Sequence, residues 1–385
     1  MDKPKLYHLH SSNRTTIYDK INNHINSRYD LVYNEISQKF YIRLKDKHGW
    51  NKLVFESIKV ELNKSEIKMS DSTLETFLSS YLVKKIDPFK EYFSELPIWD
   101  GKDHIKDLCS YISTDDDDLF YYHFKKWFVR AVKCALEEDY YNKNCLVLAQ
   151  EAENSGKTTF CRFICPPQLK HYYVENIGYD KDGQIQLTKN ILTILDEIDK
   201  IDPRSMNAYK SFLSKTHINL RLPYAKTNSN RSRSCSFIGT TNLLNFLKDS
   251  DGSVRWICFE IIGYINFDYS KNIDINKVWA QAYHLAYTEK TFNPDLTRED
   301  VILNKQRNER HRNVSVEEEL INEHFEASID RSACMTATQV TRILKNYFPQ
   351  ANIISTGREL KKMGYKRIND PKTGAKSYMI QFRNR

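Results

Sequence analysis

No run of about eighteen consecutive apolar residues occurs in this 385-residue chain, so no segment is long enough to cross a bilayer as a helix. The opening residues, Met1 to Tyr7, lack the apolar core of a secretory leader, and a soluble intracellular protein with no membrane partner is expected. Paired Cys-x-x-Cys sets are missing as well. Of the eight cysteines, Cys161 and Cys165 are four apart but have no matching His or Cys partners, so reduced, mostly buried thiols are expected in place of a zinc site. Acidic residues are absent between Pro203 and Lys248, where eight Lys or Arg stand unopposed. Unmixed positive charge over such a stretch favours contact with a nucleic-acid backbone over a merely solvated surface.

With 40% hydrophobic and 28% charged residues the chain is globular, and its length exceeds what one hydrophobic core serves, so two or three domains are expected. Residues 1–85 alternate apolar and polar positions around Lys39 to Lys45, then take helical spacing through Leu74, Phe77, Leu78 and Leu82. That pattern fits a small α+β module. Residues 86–143 read as a helical collar: Pro and Asp-Gly signals mark a boundary near Leu96 to Gly101, and apolar residues from Phe120 to Leu136 recur in steps of three and four. The acids Asp115 to Asp118 suit the positive end of that helix better than a metal.

Chemistry begins at residue 144. Cys145 to Leu148 form a short apolar run that turns through small and polar residues into Gly156, Lys157, Thr158 and Thr159. This is the strand, phosphate-cradling loop and helix start of a P-loop. Backbone N–H groups around Asn154, Ser155 and Gly156 and the helix end with Thr159 would surround phosphates, Lys157 would reach the β/γ oxygens, and the Thr158 hydroxyl would hold Mg²⁺. Glu151 replaces the usual first glycine, and Asn154 stands where a second would be comfortable, although Asn tolerates the left-handed conformation.

A second strand settles the reading. Ile191 to Leu195 are nearly all apolar, as in a parallel strand buried on both faces, and end in Asp196 and Glu197. Ligands bind at such strand ends in open α/β sheets. Asp196 is placed on the Mg²⁺ shell, and Glu197 is placed to polarise the attacking water. Together the two motifs imply ATP as cofactor with Mg²⁺. The ATPase core is expected over 144–292, with about three dozen residues between Lys157 and Asp196, a compactness that favours a small module over kinases.

The basic stretch from His217 to Phe237 alternates, turns at Lys226 to Asn230 and continues into an apolar strand, which predicts a β-hairpin. Its cations, among them Arg221, Arg231 and Arg233, are assigned to DNA. The next strand ends at Asn242, placed to orient water or sense the γ-phosphate. Arg255 precedes another apolar strand and is either a finger that stabilises transition-state charge or half of a surface salt bridge.

After a linker expected at 293–314, residues 315–385 show two capping boxes, at Ser315 with Glu318 and at Thr336 with Gln339. A third helix ending at Gly364 and a hairpin of two strands, the second over Ser377 to Phe382, complete a winged-helix pattern. Residues 341–385 hold eleven Lys or Arg against two acids. Arg358, Lys361 and Lys362 would lie on the recognition helix, with Lys372 and Lys376 on the wing, and duplex DNA is the expected partner. Charge alone leaves RNA open as well.

The order of these motifs resembles that of the virulence-associated protein E ATPases, relatives of the superfamily 3 helicases of phages and mobile elements. Carrying the resemblance are Asp87-Pro88-Phe89, Leu96 to Gly101, Pro223 to Lys226, Gly239 to Asn242 and Trp279 to Ala282, across residues 85–290. It implies an α/β fold with an AAA+-like core that assembles into a ring, commonly a hexamer, whose hairpins grip single-stranded DNA in a central channel. It makes Lys226 and neighbouring Tyr224 or Arg231 DNA contacts and brings Arg255 to a neighbour's site. The implied function is an ATP-driven replicative helicase or initiator, in the cytoplasm of a bacterial cell or phage-infected host. The alternative is a nucleotide-gated DNA-binding initiator or defence ATPase that unwinds nothing.

Overall fold

The computed structural model describes residues 15–220, 229–247, 253–370 and 373–383. The chain divides into two compact units, one drawn from residues up to Asn242 together with Arg255–Thr297, the other from Leu243–Val254 together with residues from Arg298 onward.

In the first unit, β1 (Tyr29–Asn34), β2 (Lys39–Leu44), β3 (Asn51–Lys52) and β4 (Lys84–Ile86) make a sheet in the order β3-β2-β1-β4. The alternation along β2 turns Phe40 and Ile42 toward a small core with Ile21, Ile25, Leu62, Leu74 and Phe77. Asn34 ties this module to the remainder of the unit, its Nδ2 donating to Tyr172 Oη at 2.7 Å.

Seven further strands complete the unit: β5 (Cys145–Ala149), β6 (Tyr173–Glu175), β7 (Leu192–Leu195), β8 (His217–Leu220), β9 (Ser229–Ser232), β10 (Ser236–Thr241) and β11 (Trp256–Glu260). Five of them form an all-parallel sheet in the order β11-β5-β10-β7-β6. The chain is thus mixed α/β. Every residue of β5, β7 and β10 is buried; β5 is apolar throughout, β7 admits Thr193, and β10 is apolar at Phe237 and Ile238 and ends in the buried Thr240 and Thr241. β8 and β9 pair antiparallel as the foot of the hairpin.

The helix Asp117–Leu136 starts where the acids suggest, with the Asp116 side chain accepting from the Leu119 N–H. Its Trp127 packs inward and donates to the Phe237 carbonyl at 2.9 Å. Several motif residues outside the hairpin and the cleft turn out to be joints. Asp87 caps the helix Pro88–Glu95, Trp99 donates to the Lys102 carbonyl, and Gln281 accepts from the Ile105 N–H at 2.8 Å. Seven of the cysteines are buried and all eight are unbridged.

The second unit holds the helices Arg298–Asn308, Val316–His324, Ala337–Leu344 and Ile353–Lys362, with β12 (Phe325–Ala327), β13 (Arg367–Asn369), β14 (Lys376–Tyr378) and β15 (Ile380–Phe382). Its core is Ile321, Phe325, Val340, Leu344, Leu360 and Ile380. Residues 293–314, expected as a linker, contain the first of these helices, and the following turn is tied down by the Leu247 N–H donating to the His311 carbonyl at 2.8 Å. The strand expected over Ser377 to Phe382 is divided at Met379: β14 pairs with β13, while β15 turns to β12. Thr336 and Gln339 make both halves of a capping box. At Ser315 only one half forms, because the Glu318 carboxylate turns away to Arg312 and Lys362.

Candidate nucleotide site

Strand β5 leads through residues 150–156 into the helix Lys157–Phe163. The loop's left-handed positions are Asn154, at φ +55°, and Gly156, at φ +91°. Glu151 sits exposed beside them, so a glycine is not demanded where the sequence departs from the usual pattern. Gly156 is required twice over. Besides its φ, a Cβ there would run into the ring of Phe267.

Lys157 opens the helix and is buried, 6% exposed. Its ammonium folds back onto the loop and donates to the Gln150 carbonyl at 3.1 Å, the Ala152 carbonyl at 2.8 Å and Ser155 Oγ at 3.0 Å. Burial pulls its pKa below the ordinary lysine range, against the opposing pull of Asp196, Asp199 and Glu153. The Thr158 hydroxyl donates to Asp196 Oδ1 at 2.7 Å, and the Thr240 hydroxyl donates to the same oxygen at 2.5 Å. Asp196 is fixed from behind by its own N–H, which donates to Asn176 Oδ1 at 2.9 Å.

Glu197 holds a left-handed conformation, φ +53° and ψ +56°, uncommon for a residue with a side chain. Its N–H donates to Thr240 Oγ1 at 3.3 Å, and its carboxylate takes Lys200 Nζ at 2.5 Å. Gly239 lets β10 approach this turn: a Cβ there would strike Ile198 and lie 3.1 Å from the Leu195 carbonyl. Asp199 anchors the end of β10, accepting from the Thr241 hydroxyl at 2.8 Å and the Asn242 N–H at 3.2 Å. Asn154, Ser155, Gly156, Lys157, Thr158, Thr159, Asp196, Glu197 and Asn242 all face one cleft of about 500 Å³. Arg255 is not among its lining residues; half-buried, it donates from Nε to Ser214 Oγ at 3.1 Å.

Sequence reasoning missed Asn176, Thr240 and Phe267. Asn176 follows a three-residue strand with no pattern of its own, and Phe267 reaches the loop from more than a hundred residues away in sequence. Thr240 lies two residues before Asn242, on the strand already singled out.

Among the residues assigned to DNA, Arg221, Tyr224, Lys226 and Lys372 lie outside the described residues. Arg231 is half-buried and its guanidinium donates to the carbonyls of Glu35 and Ile36. Arg233 requires a correction. It is wholly buried, donates to the Phe212 carbonyl at 2.9 Å and the Asn142 carbonyl at 2.7 Å, and presents no charge to a phosphate. β9 ends at Ser232, and the next residue turns into the core. Lys362 is half-buried, and its ammonium lies 2.8 Å from Glu318 and 3.3 Å from Glu359. Arg358, Lys361 and Lys376 are exposed.

Residues 93–313 match the model of the virulence-associated protein E-like domain, more than half of the chain. The chain belongs to the virulence-associated protein E-like family. Within this family assignment the matched span contains the loop at Lys157, the carboxylates at 196 and 197 and the whole of the large sheet. No curated protein matches the chain. Among solved structures, the apo structure of the NrS-1 C-terminal region is similar at a TM-score of 0.53 and 10% identity, covering 94% of this chain and 99% of that one. The A form apo structure of the same region gives 0.54 and 11%, covering 95% and 99%. At such identity the likeness shows a shared fold. Among the described residues no helix is long and apolar enough to cross a membrane.

Proposed function

We propose that this virulence-associated protein E-like chain is an ATP- and Mg²⁺-dependent DNA motor that assembles as a ring and serves as a replicative helicase or initiator of a phage or mobile element. The observation that carries the reading is the single cleft in which the loop before Lys157, the Thr158–Asp196 pair and Glu197 converge. Lys157 is tied to two carbonyls and a hydroxyl. A polyphosphate entering the loop offers that ammonium oxygens of full negative charge in exchange, a stronger class of hydrogen bond.

The hydroxyl of Thr158 and the carboxylate of Asp196, hard oxygen donors 2.7 Å apart, fit Mg²⁺, which would neutralise charge on the β- and γ-phosphates. Asn176 and Thr240 hold Asp196 in place for that purpose. Glu197 takes the proton of the attacking water once its carboxylate leaves Lys200. Asn242 lines the same cleft and orients that water, and Arg255, away from its own chain's cleft, acts from a neighbouring subunit. The exposed cations Arg358, Lys361 and Lys376 attract duplex DNA, and the hairpin on β8 and β9 reaches a single strand.

The test combines strand displacement on forked DNA with particle mass in the presence of an ATP analogue, Mg²⁺ and the same DNA. ATP-dependent unwinding by a multimer is expected. Hydrolysis without unwinding would favour the nucleotide-gated alternative, and a monomer with neither activity would overturn the motor reading.

A further inference from the structure

Phe267 lies between β11 and the short helix Tyr269–Asn272. Its ring rests on Gly156, the residue before the loop lysine, so closely that no side chain fits between them. Packed aromatics back it: Tyr269 stands 6.2 Å away between ring centroids, and Tyr269 in turn meets Phe160 at 5.3 Å and Phe163 at 4.8 Å. Phe267 as a residue nonetheless stays 49% exposed and lines the cleft that holds Lys157 and Asp196.

An isolated exposed phenylalanine needs no explanation. The position of this one does, because every other residue lining the cleft is polar, charged or glycine. The phosphate end of a nucleotide is accounted for by the loop, Lys157 and the carboxylates; the flat, apolar end has one partner of its own kind. We infer that Phe267 is the stacking platform for the base of the nucleotide, and that the site takes purine nucleoside triphosphates with little choice between adenine and guanine. The inference rests on the phosphate-site reading above and adds the base to it.

The relaxed choice of purine comes from the surroundings of the ring. Stacking depends on the area of the base and tolerates any π-face, so purines outrank pyrimidines. Choosing between the two purines needs hydrogen bonds to the base edge. The long cationic side chains of the lining are already committed, Arg162 to Glu175 through bonds of 2.6 and 2.8 Å, Lys200 to Glu197 and Lys157 to its own loop.

Equilibrium titration of the full chain with ATP, GTP, CTP and inorganic tripolyphosphate tests this, on wild type, Phe267→Ala and Phe267→Trp, with melting temperatures recorded alongside. Phe267→Ala is expected to weaken ATP and GTP about ten-fold, the usual scale for removing one base–aromatic stack, and to leave tripolyphosphate binding unchanged. Phe267→Trp should restore ATP binding. Wild type should bind ATP and GTP within a few-fold of each other, and CTP more weakly. Equal loss of ATP and tripolyphosphate affinity in Phe267→Ala would show a packing role and overturn the inference, as would tighter binding of both, which would mark the ring as an obstruction. Strong preference for ATP over GTP would overturn the claim of relaxed choice. If wild type binds neither ATP nor tripolyphosphate, the phosphate-site reading itself fails, and with it everything built upon it.

Discussion

The Thr158 hydroxyl donates to Asp196 Oδ1 across 2.7 Å, joining the first turn of the helix after β5 to the end of β7. Two residues 38 apart in sequence thereby present hard oxygens to one point, with Thr240 donating to the same carboxylate oxygen from a third strand. Removing the charge while keeping the shape isolates the metal's contribution. Asp196→Asn is expected to weaken ATP binding at least about ten-fold in the presence of Mg²⁺ and to leave binding in EDTA unaltered, since charge-assisted contacts are the strong ones. Titration with and without the metal reads this directly; equal loss in both conditions would place Asp196 in the fold and not at the metal.

Lys200 and Glu197 form an exposed pair, 64% and 42% exposed at their side chains. Such a pair contributes little energy, so its release changes rate modestly: Lys200→Met is expected to raise basal phosphate release by no more than about five-fold. Glu197→Gln should abolish release while retaining ATP binding. A Lys200→Met chain with greatly reduced release would show that the ammonium acts on the phosphates themselves.

The two arginine-rich regions separate stability from DNA binding. Arg233→Ala removes a wholly buried guanidinium and strands the Phe212 and Asn142 carbonyls, so it should cost about 3 kcal/mol of stability, seen as a fall in melting temperature. Arg358→Ala with Lys361→Ala should leave the melting temperature unchanged, weaken duplex DNA binding and lower the slope of log K against log salt by about 2, one for each phosphate no longer neutralised.

How much of this could be read beforehand depended on whether the signal was local. The buried strands β5 and β7 declare themselves through apolar runs, unbroken in β5 and interrupted only by Thr193 in β7, and the residues at their ends follow from the strand–turn geometry. Asn154 in the left-handed region is a local property too, legible because few residues with side chains tolerate it. Arg233 was misread because charge counted along a sequence says nothing of where a strand stops; β9 ends one residue earlier and the guanidinium finds carbonyls inside. The pairing of Lys362 with Glu318, 44 residues away, is likewise invisible to a count of charge along the chain. Phe267 and Asn176 meet the cleft only through tertiary packing, for which the sequence carries no period.

The second unit should be acid-sensitive through Glu318. Burial alone raises its pKa, but hydrogen bonds from Lys362 and Arg312 outweigh that and hold it below the usual glutamate range. A carboxylate depressed by folding contributes stability that is complete above its unfolded pKa and is lost as pH falls through the lower, folded value. Glu318→Gln is therefore expected to destabilise this unit by about 2 kcal/mol at neutral pH and to flatten the loss of stability below about pH 4. Melting curves across pH 3 to 7, a range that brackets roughly the glutamate titration, give both numbers. An unchanged acid limb would assign the sensitivity elsewhere.

The loop lysine carries the account. Phosphate release by the pure protein, measured for wild type and Lys157→Ala with Mg²⁺ and with and without forked DNA, tests it most directly. The account predicts turnover in wild type, faster with DNA, and none above background in Lys157→Ala with the melting temperature retained. Substantial release by the Lys157→Ala chain would contradict it, because the ammonium buried beneath the loop would then have no part in holding a triphosphate.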